Sequence, residues 1–510
     1  PGMRGLQFCA VSAEFDFGKN IINAHGVRFI NIGDAAIFPK DGEVTILEQA
    51  QIPTLYGSRI LAGRGNKFHD IYNCVTTIRT GIDFIGSGFI DYIDEIKSVQ
   101  TIRLDTIWFY KTTQGIGKIP FDTGFKLSPH FGFDGRIEMN SVDSFLTFVG
   151  GVEFIHDCDT VKYARFRIMQ QINPNSIFLE INNKSKDVND RKAVVAITSS
   201  NRTGRIYTAF GAAKDQFNDA EYINVQGFIT YDHASQEYRA ASREKLEDIT
   251  LPGSIIRLNK NECISTGTGA IDMGAKLGRV DFVTNGTIVN YMKADSAEMH
   301  LTTSINFFFN EEAMKVMNKT IEAETTLDFF DPSTDDAYNE AIYNILGDEQ
   351  YKLFKQDQSA FGQVKKLPEK LKVQFLFADI NFVWDKENSA FVSQTALPLI
   401  ICGSNQVYKE IPGMIVIEKR GSRNKLFIFF EFNNKFFFFQ FENNNMYGFS
   451  SEAAFNEAIN GTKSKYRVQP PEKGLPSFSY KLGNKSQQKR FMKKYYPVIT
   501  EDTPPTTEEE

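Results

Sequence analysis

Short apolar runs, each broken by Gly, Asn or Asp, fill the chain from its start to about residue 308. Helical periodicity is scarce there, and runs of this kind are typical of many short β-strands. Within them glycine is followed two positions later by isoleucine eight times, at Gly88/Ile90, Gly117/Ile119, Gly135/Ile137, Gly204/Ile206, Gly227/Ile229, Gly253/Ile255, Gly269/Ile271 and Gly286/Ile288. Chance would give about three or four such pairs in the whole chain, so the pattern indicates degenerate repeats.

Each pair predicts a turn or bulge at the glycine, followed by a strand whose alternate residues are apolar. The intervals between the glycines vary from 16 to 69 residues. We therefore expect a mostly-β region over 1–308, built as an elongated set of stacked sheets or as an irregular β-solenoid. An ordinary β-sandwich whose strands happen to begin with glycine is the alternative.

The spacing of apolar residues changes from a strand-like to a helical pattern after residue 308. Residues 309–370 are predicted to form a helical connector. Asn310 is a suitable N-cap for a first helix, whose apolar stripe comprises Met314, Met317 and Ile321. A second helix is predicted after Asp335, with Tyr338, Ile342 and Ile345 on one stripe. Both stripes are typical of core contacts.

Residues 371–461 are predicted to form a Phe-rich antiparallel β meander with a terminal helix over 451–459. Two runs, LFIFFEF (426–432) and FFFFQF (436–441), flank Asn433 and Asn434, which tolerate the left-handed conformation of a tight hairpin. The second run has no polar alternation, so we expect both faces of its strand to be covered. Residues 462–510 are predicted to be a linker, a short basic helix over 485–494 and a disordered acidic tail over 503–510.

Length and charge bound the possible functions. A chain of 510 residues exceeds the size at which a single core stops growing, about 250–300 residues, so we expect two or more folding units. A formal net charge of −6 provides no general attraction to nucleic acid, and we predict no nucleic-acid partner. No stretch approaches the ~18 consecutive apolar residues of a membrane-spanning helix.

The five cysteines, Cys9, Cys74, Cys158, Cys263 and Cys402, are scattered without a CxxC pair. Their number and spacing predict neither a disulfide framework nor a zinc ribbon, and most are expected to be small buried apolar residues. The chain begins PGMRGLQF, without an initiator methionine or the apolar segment of a signal peptide. We therefore expect a fragment whose export signal lies upstream of Pro1.

Known catalytic motifs are missing from the sequence. The segment 63–67 (GRGNK) lacks the rest of a phosphate-binding loop and is interpreted as a turn. Asp331, Ser333 and Asp335 begin like a calcium loop, but helix capping explains them better. The six histidines, His25, His69, His130, His156, His233 and His300, lie in no triad context. We predict no catalytic, cofactor-binding or metal-binding residues and no cofactor.

Two weaker possibilities stay open at this point. His156 and Cys158 would share a face of a strand and could bind a metal. Asp91 and Glu95 would lie about 13 Å apart on a strand, too far for the roughly 5–9.5 Å of a glycosidase pair. A carboxylate pair across strands, for example Asp91 with Asp134 or Asp232, is compatible with the sequence.

Three segments, GSGFIDYIDE (86–95), GFDGRIEMNSVDSFLTFVGG (132–151) and QGFITYDHASQEYRAAS (226–242), carry a resemblance to known proteins. They resemble repeats of large uncharacterised envelope proteins of the Bacteroidota type. They are also similar to the OstA-like β-jellyroll or β-taco modules of lipopolysaccharide transport. The resemblance covers about residues 60–310 and implies an exported, elongated β protein.

These observations lead to one functional expectation and two alternatives. We expect a non-enzymatic structural or binding protein of a bacterial cell envelope, periplasmic or associated with the outer membrane, which presents an extended β surface to a protein, glycan or lipid of the envelope. The alternatives are a carbohydrate-active enzyme on a β-helix and a groove module that handles lipid or lipopolysaccharide. The sequence does not define the oligomeric state.

Overall fold

A computed structural model describes residues 6–63, 65, 68–158, 165–200, 204–394, 396–420 and 423–496. Within these ranges the chain is mostly β, as the sequence predicts, with 34 strands and six α-helices. The acidic tail over 503–510 lies outside the described residues. So does most of the predicted turn over 63–67.

The first fourteen strands occupy the N-terminal third of the chain. They are β1 Ser12–Asp16, β2 Ile21–His25, β3 Ile30–Ile32, β4 Ala35–Phe38, β5 Val44–Ile46, β6 Leu55–Ala62, β7 His69–Thr80, β8 Asp83–Ile93, β9 Val99–Tyr110, β10 Thr112–Ile119, β11 Lys126–Ser128, β12 Phe131–Asn140, β13 Thr147–Phe154 and β14 Phe166–Gln171. Eleven of them form one antiparallel sheet, here called the N-terminal sheet, in the order β14-β13-β12-β10-β9-β8-β7-β6-β4-β3 with β11 beside β12. Strands β1, β2 and β5 form a separate small sheet.

The next ten strands precede the main helices. They are β15 Leu179–Ile181, β16 Val194–Ser199, β17 Ile206–Ala212, β18 Ala220–Val225, β19 Gly227–Asp232, β20 Glu237–Ala241, β21 Ile255–Asn259, β22 Ile264–Ile271, β23 Asp281–Tyr291 and β24 Ser296–Asn306. The last ten are β25 Phe375–Asp385, β26 Ala390–Ser393, β27 Leu397–Cys402, β28 Asn405–Ile411, β29 Gly413–Glu418, β30 Lys425–Phe432, β31 Lys435–Glu442, β32 Asn445–Ser450, β33 Val468–Gln469 and β34 Phe478–Leu482.

Seventeen of these strands, β15 and β19 to β34, form a second sheet, here called the long sheet. Strands β16 to β18 make a three-stranded sheet of their own. Strands β24 and β25 pair with each other, so the hydrogen bonding of the long sheet is continuous there. A helical segment separates the two strands along the chain. Most strands pair with their neighbours along the chain, which makes antiparallel meanders. This confirms the mostly-β prediction and does not confirm the solenoid arrangement.

The helices are α1 Arg243–Glu247, α2 Glu311–Ala323, α3 Asp336–Leu346, α4 Asp348–Phe361, α5 Ala453–Gly461 and α6 Lys485–Tyr495. Asn310 caps α2 by accepting a hydrogen bond from the Ala313 amide, as predicted. Asp335 caps α3 by accepting hydrogen bonds from the amides of Ala337 and Tyr338, which confirms the predicted capping role. The predicted stripes of α2 and α3 are buried, except that Ile345 is only partly buried.

The phenylalanine-rich strand β31 is covered on both faces, as the lack of polar alternation predicts. On one face the rings of Phe437 and Phe439 contact Phe455 of α5, at centroid distances of 5.4 and 5.9 Å. On the other face Phe438 contacts Phe491 of α6 at 5.4 Å. The hairpin between β30 and β31 turns at Asn433 and Asn434, which both have positive φ.

Several glycines of the repeated pattern lie inside regularly paired strands instead of in the turns or bulges that the sequence predicts. Gly135 faces Gly150 across β12 and β13, and Gly269 faces Gly286 across β22 and β23. The isoleucines two positions later are all buried, except that Ile206 is only partly buried. Gly135, Gly269 and Gly286 therefore mark positions within the sheets where the neighbouring backbone comes too close for a side chain.

Replacing Gly286 by alanine is expected to lower the free energy of unfolding by roughly 1–3 kcal/mol. Gly286 has a φ of 151°, and a Cβ there would overlap the carbonyl oxygen of His300 on the adjacent strand. Gly253→Ala is the matched control, since its φ is 126° but nothing lies within 4 Å of the added Cβ. Urea denaturation should give a smaller loss for the control, and equal losses would contradict the overlap.

Glu418 anchors helix α6 to the long sheet. Its carboxylate accepts hydrogen bonds from Lys494 Nζ and Tyr495 Oη, at 2.8 and 2.7 Å, and pairs with Arg420 at 2.8 Å. Burial raises the pKa of Glu418, but the hydrogen bonds and nearby cations outweigh this effect and hold the pKa below its ordinary value. The ionised carboxylate therefore stabilises the folded state.

The substitution Glu418→Gln is expected to cost about 1–2 kcal/mol of stability at neutral pH. Because the folded-state pKa is lowered, the carboxylate contributes fully above the ordinary glutamate pKa, about 4.3, and its contribution disappears as the pH falls through the folded-state value. Denaturation curves of both proteins between neutral and acid pH should converge at the acid end. A constant difference across that range would contradict this assignment.

Candidate functional site

A cleft of about 240 Å³ lies where the N-terminal sheet meets the long sheet. Its lining includes Glu95 and Ser128 on the side of the N-terminal sheet and Thr230, His233 and Arg239 on the side of the long sheet. Other cavities are larger, at about 430 and 660 Å³. The intersheet cleft is distinguished by two imidazoles, a carboxylate and an ammonium that converge beside it.

Glu95 is carried by the tight turn that follows β8. The Asp94 carboxylate holds this turn by accepting hydrogen bonds from the amides of Ile96 and Ser98, at 3.1 and 2.8 Å. Glu95 therefore projects from a turn and does not share a strand with Asp91, which corrects the arrangement expected from the sequence. The turn brings Glu95 Oε2 to 3.2 Å from Nε2 of His233.

His233 is the first residue after β19, in the hairpin that leads to β20. The carboxylate of Asp232 fixes the hairpin by accepting hydrogen bonds from the amide and hydroxyl of Ser235, at 2.8 and 2.7 Å. The same carboxylate pairs with Arg239 at 3.1 Å. The backbone around His233 is thus held by its neighbours, while the imidazole itself is 59% exposed.

His130 immediately precedes β12 and is held through its backbone. Its carbonyl oxygen accepts hydrogen bonds from the hydroxyl of Tyr238 and the amide of Ile155, at 2.8 and 3.0 Å. The His130 ring stacks on Tyr231, with centroids 3.5 Å apart and planes 18° apart. Its centroid lies 5.2 Å from that of His233.

Lys260, in the turn after β21, completes the cluster. Its ammonium lies 3.3 Å from Nδ1 of His130 and 5.1 Å from the centroid of Tyr231. Burial, then the positive charge of Lys260, then His233, lower the pKa of His130 to about 4. The His130 imidazole is therefore neutral at pH 7, with a lone pair available on one nitrogen.

One nitrogen of each histidine and one oxygen of Glu95 all lie within 4.8 Å of one another. Two imidazoles and a carboxylate are a donor set that several divalent transition metals accept. The sequence did not predict this group, because its members come from residues 95, 130, 233 and 260 and meet only through the packing of two sheets. No local spacing of histidines and acids could have indicated it.

The carboxylates considered as possible hydrolytic pairs each have local partners. Asp91 accepts hydrogen bonds from Tyr72 Oη and Thr101 Oγ1, at 2.7 and 2.9 Å. Asp134 forms an ion pair with Arg165. Asp232 accepts hydrogen bonds from Ser235 and pairs with Arg239. Each of the three carboxylates therefore has a partner close to it that it holds in place.

Two expectations about cysteine are corrected by a disulfide between Cys158 and Cys263, whose Cα atoms are 5.5 Å apart. The sequence predicted no disulfide, because 105 residues separate the two positions and no spacing motif marks them. Cys158 is also unavailable as a metal ligand beside His156. Cys74 and Cys402 are buried thiols, as expected, whereas Cys9 is exposed.

Comparison with known proteins finds no matching family model and no functionally characterised protein of significant sequence similarity. Among the described residues, none of the helices is long and apolar enough to cross a membrane.

Proposed function

We propose that this chain is an exported, non-enzymatic scaffold and binding protein of a bacterial cell envelope, and that its partner is an envelope glycan. The observation that carries the proposal of export is the disulfide between Cys158 and Cys263. Disulfides form and persist in secreted and periplasmic proteins and are rare in the reducing cytosol. The disulfide also ties the segment after β13 of the N-terminal sheet to the β21–β22 turn of the long sheet.

The proposed contact surface is the outward side of strands β6 to β9, here called the aromatic face. It carries Tyr56, Tyr72, Phe89, Trp108 and Tyr110. The strand register pairs Tyr72 with Phe89, whose rings stack at 6.2 Å, and Trp108 with Ile85, which lies on the same side of β8 as Phe89. One side of this antiparallel sheet packs on the core while the aromatic side meets solvent.

The chemistry of the aromatic face suits a sugar polymer. Tyr56 and Tyr110 are 70% and 65% exposed, so flat rings are available for apolar contact. Hydrogen-bonding groups lie on the same strands, including the Tyr72 hydroxyl with Asp91 and the Arg59–Asp70 ion pair. Flat apolar rings beside fixed polar groups match a ligand that has apolar C–H faces and hydroxyl edges.

Differential alkylation of the protein in the cells that make it tests the proposed export. Cys158 and Cys263 should be protected from alkylation until a reductant is added, and the protein should fractionate with the envelope. The buried Cys74 should be alkylated after denaturation alone, which provides an internal control. Reduced Cys158 and Cys263 in a cytoplasmic fraction would contradict the proposal.

Co-sedimentation of the purified protein with insoluble envelope polysaccharide tests the proposed partner. The double variant Tyr72→Ser, Phe89→Ser should bind at least about fivefold more weakly, since two aromatic contacts are lost. Phe217→Ser is the matched control, because Phe217 is 90% exposed and lies outside the aromatic face. Equal binding by all three proteins, or binding that protease treatment of the envelope material abolishes, would contradict a glycan partner.

A further inference from the structure

We infer that Glu95, His130 and His233 form a binding site for a divalent transition metal of the zinc class. The inference rests on the geometry of the intersheet cleft and is independent of the proposed envelope function. Zinc binds imidazole nitrogens and carboxylate oxygens at about 2.0–2.2 Å, and two histidines with one glutamate leave a fourth position open. Calcium and magnesium prefer oxygen donors, so a site with two imidazoles selects against them.

The donor atoms already lie near the spacing that such an ion needs. Ligand atoms of a tetrahedral zinc site are roughly 3.3–3.6 Å apart. Glu95 Oε2 and His233 Nε2 are 3.2 Å apart, and all three donors lie within 4.8 Å. Closing the site therefore requires a side-chain movement of roughly 1 Å. The exposed imidazole of His233 is free to make that movement.

The groups that hold the three ligands are not themselves ligands. Asp94 fixes the turn of Glu95, Ser235 and Asp232 fix the hairpin of His233, and Tyr238 holds the backbone of His130. The ligands thus project from three separately stabilised turns toward one another, at the edge of the intersheet cleft. Supporting contacts of this kind reduce the conformational cost of binding an ion.

Lys260 occupies the position of a competing cation. Its ammonium donates toward Nδ1 of His130, so it engages a lone pair of a proposed ligand. Its positive charge also opposes a divalent ion a few ångströms away. Metal binding therefore requires Lys260 to turn away from the cluster. An uncharged residue of similar length at this position should strengthen the site.

Isothermal titration with ZnCl₂ tests the site on the full chain in a Cys9→Ser background, which removes the exposed thiol. Burial raises the pKa of Cys74 to about 12, so that thiol does not compete. We expect one zinc ion per chain. His233→Asn and Glu95→Gln should each weaken binding by at least about tenfold. Lys260→Met should tighten it by about tenfold or more.

His300→Asn is the matched control variant. His300 pairs with Asp379 at 3.1 Å, so it also joins an imidazole to a carboxylate, and it is not part of the three-residue cluster. This variant should bind zinc like its parent. Circular dichroism checks that each variant is folded, and His233 is the preferred target because it is exposed. A second readout is the visible absorption of bound Co²⁺, which reports a tetrahedral site with nitrogen donors.

Two results of the titration would contradict the assignment of a zinc site. Absence of stoichiometric zinc binding by both the parent protein and Lys260→Met would overturn the assignment. Zinc binding that His233→Asn leaves unchanged would place the ion elsewhere and overturn it as well. Either result would leave the proposed export and glycan binding untouched, since those are tested by alkylation in cells and by co-sedimentation.

Discussion

Replacing Cys158 and Cys263 together by serine is expected to lower the free energy of unfolding by about 2–5 kcal/mol. The disulfide closes a loop with a sequence separation of 105 residues, and a cross-link across a loop of this size restricts the unfolded chain strongly. It also joins the segment that follows β13 of the N-terminal sheet to the β21–β22 turn of the long sheet. Urea denaturation of the wild-type and variant proteins, monitored by near-ultraviolet circular dichroism, measures the loss.

Two comparisons separate the disulfide from a general effect of the substitutions. Cys9→Ser removes an exposed thiol and should leave the transition unchanged. Adding a reductant should shift the wild-type transition to that of the double variant and should not affect the double variant. A wild-type transition that is insensitive to the reductant would show that the cross-link contributes no stability.

Phe375→Ala should lower the free energy of unfolding by about 3–5 kcal/mol. Phe375 is fully buried, and its ring contacts those of Phe430 and Phe439 at 5.4 and 5.3 Å. It contacts Phe307 as well, at 6.0 Å. Truncation removes these contacts and leaves a cavity that rigid neighbouring strands cannot fill. The midpoint of urea or thermal unfolding measures the change.

Phe217→Ala is the control for this substitution. Phe217 is 90% exposed, so its truncation should change stability by less than about 0.5 kcal/mol. Phe375→Leu retains most of the apolar volume and should recover part of the loss. Similar effects of Phe375→Ala and Phe217→Ala would contradict a central position for Phe375 in the core.

The parts of the fold that depend on local patterns were predictable from the sequence. The hairpin at Asn433 and Asn434, the cap of α2 at Asn310 and the burial of isoleucine two residues after glycine all follow from residues close together in the chain. The covering of β31 on both faces also follows from its composition. In each of these cases the physical cause acts within about one turn of helix or one pair of strands.

The candidate site was not predictable in the same way. His130 and Tyr231 stack although 101 positions separate them, and Cys158 reaches Cys263 across a similar separation. Such contacts depend on how the two large sheets pack, which strand periodicity does not specify. The position of Glu95 depended on one detail, because β8 ends at Ile93 and the acid falls in a turn. The expected assignment of Asp91 and Glu95 to one strand missed this boundary.

The strand order of the long sheet has a consequence for biogenesis. From β20 to β24 each strand pairs with the one synthesised just before it, so each strand pair can form as soon as both of its strands have been synthesised. Only short loops are closed at each step, which keeps the entropic cost of every addition small. Strand β34 is different, because it joins β32 in parallel after an intervening helix. The β20 to β24 part of the sheet can therefore form one strand at a time in chain order, whereas the pairing of β32 with β34 must wait until the residues of β34 have been synthesised.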